Sequence, residues 1–293
     1  MTEVRRTGRW PRGTRLGQTA TLLCVAFGGI PPADAAITIF LNDCRPMGCT
    51  VFGGSPDNSS QNRSSIVTGT RQLNPYEEGD EVWQQVVACV TEVWRPFNVT
   101  VVTADPAPAF HLEHMIAGHP LDLGFPDNTS GVSPAACSLV PNGISFTFSE
   151  KHGPDALALC WTASHEIGHL FGLDHEAYLP DPMTYLEGCG RKDFAASLAP
   201  CGEFTPRPTG CLCGGSTQDS YALLSERAGT NGFIFEGTFE DFEADWICDW
   251  SAQEPPPAGA LDSAEAAWID PQRPRCGTYE PENLQRSGFR AER

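Results

Sequence analysis

The chain has 293 residues, with 19 basic and 37 acidic side chains and a formal net charge of −18. A chain this acidic is not expected to bind nucleic acid, because the phosphate backbone attracts basic surfaces. The 12 cysteines favour an oxidising compartment, where disulfides persist.

Residues 1–35 have the pattern of a secretory signal peptide. Five arginines precede an apolar run from Ala20 to Phe27, and residues 33–35 supply the small side chains of a cleavage site. The run is too short for a permanent membrane helix. We therefore expect a secreted, extracellular protein without stable membrane insertion, whose mature chain begins near Ala36. Loss of the leader removes five basic and two acidic residues, which leaves a net charge near −21.

The following segments are predicted to be strands and one helix. Runs of β-branched and aromatic residues predict strands at residues 36–41, 98–102, 110–116 and 144–148. A Gly-, Ser- and Asn-rich stretch at residues 53–65 predicts a loop. A helix is predicted from Glu77 to Trp94, with an apolar face at helical spacing and a stop near Pro96. That face consists of Val82, Val86, Val90 and Val93.

Residues 165–175 carry the pattern H-E-x-x-H-x-x-G-x-x-H. On a helix, His165 and His169 share one face and can bind one ion. Gly172 can adopt the left-handed conformation that ends the helix and brings His175 back to the same ion. Three neutral imidazoles leave a zinc ion one open position for water, and Glu166 lies where it can accept a proton from that water. The pattern predicts one catalytic zinc and a glutamate base.

Two simpler interpretations of this pattern compete with a catalytic zinc site. A bare H-E-x-x-H arises by chance in many helices, but a match over eleven residues is improbable as a coincidence. A purely structural zinc is disfavoured, because structural sites fill all four positions with protein ligands and favour cysteine. Three further histidines, His111, His114 and His119, are expected to be ordinary strand or loop residues.

Met183 follows the third histidine by eight residues, within the segment 180–185. With the zinc pattern, this segment resembles the Met-turn of the metzincin zinc endopeptidases, whose methionine lies beneath the metal. The short gap to the methionine resembles matrixins, whereas Glu176 and Tyr185 resemble astacins and serralysins. The resemblance implies that Tyr185 is a fifth ligand or an oxyanion donor. An aromatic residue that only packs the turn is an equal alternative.

The resemblance also implies an α+β fold, with a twisted mixed sheet and a long zinc helix above an irregular C-terminal subdomain. Residues 131–139 occupy the position of the family's edge strand, which a peptide joins by backbone pairing. The residues expected to pair with substrate are Ala135, Ala136, Cys137 and Ser138. Residues 216–227 resemble the closing helix of the family, with Ser216 as its cap.

The catalytic domain is expected to span residues 36–229. Residues 230–293 are acidic and proline-rich and are expected to form a tail with little core of its own. Residues 237–242 are similar to segments near the ends of exported bacterial proteins, which favours a bacterial source.

Most cysteines of the exported chain are expected to form disulfides, although connectivity cannot be derived from sequence. Cys44 with Cys49 is one expected link, and a further group lies around the loops after the Met-turn: Cys189, Cys201, Cys211 and Cys213. Metal binding by Cys211 and Cys213 is the weaker alternative. The acidity leaves calcium open as an additional ion, although no D-x-D-x-D-G loop is present and solvated surface charge explains it equally well.

The sequence therefore predicts a secreted, monomeric zinc metalloprotease, a hydrolase that acts on protein or peptide substrates. Two other classes stay open. The first is a secreted metzincin-like binding protein without turnover, against which the intact Glu166 argues. The second is a zinc hydrolase that acts on an ester or a sugar-linked amide. The preferred substrate side chain cannot be read from the composition of the loops.

Overall fold

A computed structural model describes residues 36–186 and 192–231. The predicted leader, Cys189 and nearly all of the predicted tail lie outside these residues. Helices in the described part are α1 (Asp80–Trp94), α2 (Pro120–Leu123), α3 (Ala156–Leu170) and α4 (Ser220–Ala228). Its strands are β1 (Ile37–Asn42), β2 (Cys49–Gly53), β3 (Arg63–Ser64), β4 (Thr70–Leu73), β5 (Val99–Val102), β6 (Leu112–Ile116), β7 (Gly131–Val132), β8 (Ile144–Thr147), β9 (Ala199–Pro200) and β10 (Thr217–Gln218).

The main sheet has five strands in the order β5-β1-β6-β8-β7. The first four run parallel, and β7 pairs antiparallel to β8 at one edge. Three of the four parallel strands, β1, β5 and β8, are rich in β-branched and aromatic residues, whereas β6 is Leu-Glu-His-Met-Ile and is buried throughout. A mixed five-stranded sheet with few helices agrees with the α+β class expected from the sequence.

Each face of the sheet packs against its own core. On one face, Ile39, Leu41 and Leu112 pack with the helices α1 and α3. On the other face, Met115 and Phe146 pack against Val51 and Leu73 of a small sheet ordered β3-β2-β4. Because side chains alternate along a strand, neighbouring residues of β6 enter different cores. The sheet thus supports α3 as a rigid platform.

The disulfide Cys89–Cys160 joins α1 to α3. Helix α1 begins three residues later than predicted and ends at Trp94 as predicted. Trp94 packs on Phe171 just beyond α3, with ring centroids 5.0 Å apart. Covalent and aromatic contacts therefore hold both ends of α3 against α1.

The closing helix differs from its predicted bounds. It spans Ser220–Ala228, and its N-cap is Asp219, whose side chain accepts a hydrogen bond from the backbone N–H of Ala222 at 2.7 Å. The predicted cap, Ser216, precedes strand β10, which pairs with β9. The prediction of Ser216 as the cap is wrong because this pairing holds residues 217 and 218 in an extended conformation.

Four disulfides lie within the described residues, and these support an oxidising, extracellular environment. The expected link between Cys44 and Cys49 is confirmed. Cys211 and Cys213 bond to Cys201 and Cys137, so the disulfide interpretation of this pair is confirmed over metal binding. None of the described helices is both long and apolar enough to cross a bilayer.

Candidate metal centre

Helix α3 and the turn after it bring three histidines together. His165 and His169 lie one helical turn apart on α3, and the helix ends at the cap residue Phe171. Gly172 follows with a φ of +86°, and the backbone N–H of Leu173 donates to the carbonyl of Gly168 at 3.1 Å. This left-handed turn returns the chain toward the helix, as we predicted from the glycine at position 172. A side chain at position 172 would also come within 2.7 Å of the backbone nitrogen of Ser138.

The Nε2 atoms of the three histidines point at one another. The Nε2 of His169 lies 3.1 Å from that of His165 and 3.0 Å from that of His175. Among the described residues, these three form a group whose nitrogens could all hold one metal ion. Three nitrogens bound tetrahedrally to zinc at about 2.0–2.1 Å would be about 3.3 Å apart. The spacing therefore fits a small divalent ion.

The Nδ1 atoms determine which nitrogen of each ring carries the proton. The Nδ1 of His165 lies 2.8 Å from the carbonyl oxygen of Pro182, and that of His169 lies 2.8 Å from the carbonyl oxygen of Leu173. The Nδ1 of His175 lies 3.3 Å from a carboxylate oxygen of Glu203. All three partners only accept hydrogen bonds, so each Nδ1 carries the proton of a neutral ring. Three Nε2 lone pairs are then left facing one another, an arrangement that a cation would stabilise.

The surroundings keep these histidines neutral. Burial, followed by the nearby imidazoles of His169 and His175, lowers the pKa of His165 well below its ordinary value. Burial likewise lowers the pKa of His169 to about 4, and it lowers the pKa of His175. Metal ligation requires the deprotonated Nε2, so the tripod is in its ligating state at neutral pH.

Glu166 lies beside the tripod and lines the same cleft, which has a volume of about 410 Å³. Its side chain packs against the first residue of the edge strand β7. A Cβ placed on Gly131 would lie 2.7 Å from Oε1 of Glu166 and 2.8 Å from Cγ2 of Thr162. Burial raises the pKa of Glu166 well above its ordinary value. The absence of a side chain at position 131 therefore leaves room for the predicted base.

Met183 is fully buried against the helix turn that carries the first two histidines. A Cβ on Gly168 would lie only 2.4 Å from the sulfur of Met183. The turn is held by Asp181, which accepts from the backbone N–H groups of Met183 at 2.8 Å and Ala195 at 2.7 Å. The preceding Pro182 supplies the carbonyl for His165. The turn predicted from Met183 thus lies directly against the tripod and orients one of its rings.

Glu176, which follows the third histidine, is fully buried and plays a structural part. Its carboxylate accepts hydrogen bonds from Nε2 of Gln218 at 2.9 Å and Oγ of Ser220 at 2.6 Å. Its backbone N–H donates to the carbonyl of Met183 at 2.9 Å. Glu176 therefore connects the segment that carries His175 both to the turn around Met183 and to the start of α4.

Tyr185 stacks on the outer side of the tripod. Its ring centroid lies 4.4 Å from that of His175 and 5.5 Å from that of His165, and Phe204 packs on it at 5.7 Å. Burial raises the pKa of Tyr185 to about 12. These ring contacts show that Tyr185 packs the turn. Its role as a fifth ligand or oxyanion donor stays a prediction.

The predicted edge strand is shorter than expected. Only Gly131 and Val132 pair with β8, and the four residues expected to bind substrate lie outside any strand: Ala135, Ala136, Cys137 and Ser138. Pro134 cannot donate to a ladder, and Cys137 is bonded to Cys213 in the C-terminal part. The assignment of residues 135–138 to a strand is therefore wrong, and their contact with substrate stays a prediction.

Three of the other histidines, His111, His114 and His119, belong to neither group of described residues that could hold a metal ion. His114 is a strand residue of β6, and its ring nitrogens contact Oγ of Ser145 at 2.7 Å and Oγ1 of Thr147 at 2.9 Å. His119 caps the short helix α2, and His111 lies in the loop before β6. The expectation that they are ordinary strand or loop residues is confirmed.

Sequence reasoning missed the residues around the outer side of His175. Glu203 lies at its Nδ1, and Arg207 bonds to both Glu203 and Asp174. Glu203 is 28 positions from its histidine. The available signal was an acidic residue two positions after a cysteine in a region expected to be rich in disulfides. That signal alone does not indicate which histidine it would reach.

No protein-family model matches the chain, and no curated protein matches it either. What the site does is therefore inferred from its own geometry.

Proposed function

We propose that this protein is an exported zinc-dependent endopeptidase of the metzincin class. The observation that carries the proposal is the convergence of three Nε2 lone pairs beside a buried glutamate in an open cleft. Each Nδ1 has a partner that only accepts, so the ligating tautomer is present without metal. Zinc is the ion that such an all-histidine tripod with one open position suits best.

The tripod of His165, His169 and His175 would hold the ion. A zinc ion held there supplies Lewis acidity to water and to a peptide carbonyl. The rigid orientation of the rings, set by Pro182, Leu173 and Glu203, avoids rearrangement when the ion binds.

Glu166 is the proposed general base. Its carboxylate takes a proton from water as the water oxygen bonds to the carbonyl carbon of the substrate. The same proton is then delivered to the amide nitrogen as the C–N bond breaks, which leaves a free amine and a carboxylic acid. The close approach of Gly131 to the Glu166 side chain restrains that side chain within the cleft during this transfer.

The edge of the main sheet is the proposed site for the substrate backbone. Val132 and Ser133 line the cleft together with Glu166 and His169. Since β7 pairs with β8 on one side only, its other side is the edge of the five-stranded sheet. An extended peptide that adds to this edge would lie along the cleft that His169 and His175 also line. Protein or peptide chains are therefore the proposed substrates.

The test is cleavage of a peptide library by the purified mature protein, with metal content measured in the same samples. Wild-type protein is expected to hold one zinc per chain and to lose cleavage when a chelator is added. Glu166→Ala is expected to keep the zinc and lose at least about 100-fold in turnover, because only the base is removed. Glu77→Ala, at an exposed glutamate before α1, is the matched control and should behave as wild type.

Other outcomes would identify the competing classes. Stoichiometric zinc without cleavage of any peptide would point to a binding protein. Cleavage of esters or sugar-linked amides alone would point to a different hydrolase. Either result, or full activity in Glu166→Ala, would end the proposal.

A further inference from the structure

The third histidine differs from the other two in what orients it. His165 and His169 donate to main-chain carbonyls, whereas His175 donates to Oε1 of Glu203 at 3.3 Å. A carboxylate behind an imidazole does more than fix the ring. It raises the basicity of the ligating nitrogen, because its negative charge stabilises the positive charge that the ring acquires on binding a cation.

Glu203 is carried by a short covalently closed loop, residues 201–211, which we call the clamp loop. The disulfide Cys201–Cys211 closes it. At its base, the backbone N–H of Gly202 donates to the carbonyl of His175 at 3.0 Å. Inside the loop, the N–H of Arg207 donates to the carbonyl of Cys201 at 2.7 Å. The clamp loop is thus attached to the backbone of the residue that its carboxylate orients.

The loop must be tight at Gly202 for this attachment to form. A Cβ on Gly202 would lie 2.0 Å from the carbonyl oxygen of Thr205 and 2.8 Å from the nitrogen of Arg207. No side chain fits such a close approach of backbone to backbone. The residue between Cys201 and Glu203 is therefore restricted to glycine by the turn itself.

One guanidinium holds the two carboxylates around His175. Arg207 contacts Oε1 of Glu203 at 2.8 Å and both oxygens of Asp174, at 2.9 and 3.2 Å. Asp174 also accepts from the backbone N–H of His175 at 2.8 Å and that of Leu212 at 2.5 Å. Planar guanidinium forks give such contacts geometric specificity. The network therefore fixes both the ring and the backbone of His175 by hydrogen bonds.

We propose that the clamp loop is a positioning device for the third ligand, in which Glu203 sets the affinity of the tripod for its metal and Arg207 holds Glu203 in place. This inference rests on the metal site of the proposed function, but not on its peptidase activity. Glu203 does not contact the ion, so it is a positioning residue. Its contribution should be seen in metal affinity before any substrate is added.

The experiment is a zinc titration of the full mature chain against a chromophoric chelator. Glu203→Ala removes the carboxylate and is expected to weaken zinc binding at least tenfold, the lower range for loss of such a partner. Glu203→Gln keeps an accepting oxygen without the charge and is expected to lose less. Glu77→Ala removes an exposed glutamate far along the chain and should leave the affinity unchanged.

A double-mutant cycle tests the role of Arg207. If Arg207 acts through Glu203, Arg207→Ala should weaken zinc binding in the wild-type background and add less than twofold to Glu203→Ala. Cobalt substitution gives a second reading, because the visible spectrum of bound cobalt reports changes in ligand geometry. Thermal unfolding in chelator shows whether each variant is folded without metal. If Glu203→Ala does not fold, Glu203→Gln replaces it in the titration.

Zinc affinity within twofold of wild type in both Glu203 variants would overturn the inference, as would a wild-type protein that binds no zinc. A wild-type protein that binds zinc tightly, loses affinity in Glu203→Ala and cleaves no peptide would instead overturn the proposed function alone. The two ideas therefore fail by different results.

Discussion

Replacing Gly168 by alanine tests how the Met-turn packs beneath the tripod. Gly168 lies on α3 between the first two histidines, and the Cβ of an alanine there would lie 2.4 Å from the sulfur of Met183. Contact between such atoms is comfortable only at about 3.5–4.0 Å. The sulfur must therefore move by more than about 1 Å, although Met183 is fully buried and has no adjacent solvent to enter.

The expected cost follows from two opposing effects. Overpacking a filled core costs about 1–3 kcal/mol. Alanine in the middle of a helix is more favourable than glycine by about 1 kcal/mol. We therefore expect Gly168→Ala to lower the free energy of unfolding by up to about 2 kcal/mol. Displacement of Met183 would also shift its neighbour Pro182, whose carbonyl orients His165, so zinc affinity should fall as well.

The assay is urea unfolding in chelator, with and without Met183→Ala. In the Met183→Ala background the sulfur is gone, so Gly168→Ala should become stabilising by up to about 1 kcal/mol. This change of sign is the sharpest outcome of the cycle. The reasoning is refuted if Gly168→Ala stabilises the wild-type background, or if its effect is the same in both backgrounds.

Three further predictions concern the base, a buried acid and the metal. The new Cβ of Gly131→Ala would lie 2.7 Å from Oε1 of Glu166. Because it would displace this proposed base, turnover should fall by about 10–100-fold, while zinc content should stay at one per chain. Unchanged turnover would contradict the close approach of Gly131 to Glu166. Burial raises the pKa of Glu113 to about 8, so the folded state keeps a proton that the unfolded chain releases above about pH 4.5. The contribution of Glu113 to stability should therefore fall as pH rises from about 5 to 8, at up to about 1.4 kcal/mol per pH unit. Glu113→Gln, which keeps the contact with Asn42, should remove this contribution, so stability should fall less steeply with pH than in the wild type, in which burial also raises the pKa of Glu176. Equal slopes for the two proteins in urea unfolding at pH 5, 6.5 and 8 would argue against it. Removal of metal should lower the unfolding temperature measured by calorimetry, since an ion at 1,000 times its dissociation constant adds about 4 kcal/mol to the free energy of unfolding. Added zinc should restore that temperature, and added magnesium should not.

Local patterns predicted the helices and strands well where periodicity was strong. The valine spacing of α1 led to the correct end at Trp94, and the β-branched runs located β1 and β5. Gly172 was predictable because only a left-handed residue lets a third histidine return to a helix that already carries two. These features depend on neighbours within a few positions.

Long-range partners were not predictable in the same way. The contact between Glu203 and His175 depends on a loop closed by Cys201–Cys211, and sequence does not specify which cysteines pair. The edge strand ended early because a disulfide draws Cys137 toward Cys213. Ser216 resembled a cap until pairing between β9 and β10 delayed the helix. In each case a distant segment changed the local preference.

The strand β1 lies inside the main sheet, second from the edge formed by β5, although it comes first in the described chain. Its two neighbours there are β5 and β6, which follow it only after a small sheet and a long helix. A ribosome therefore releases this interior strand well before it releases either of the strands that flank it. Native pairing on both sides of β1 therefore has to wait until these later segments have been synthesised.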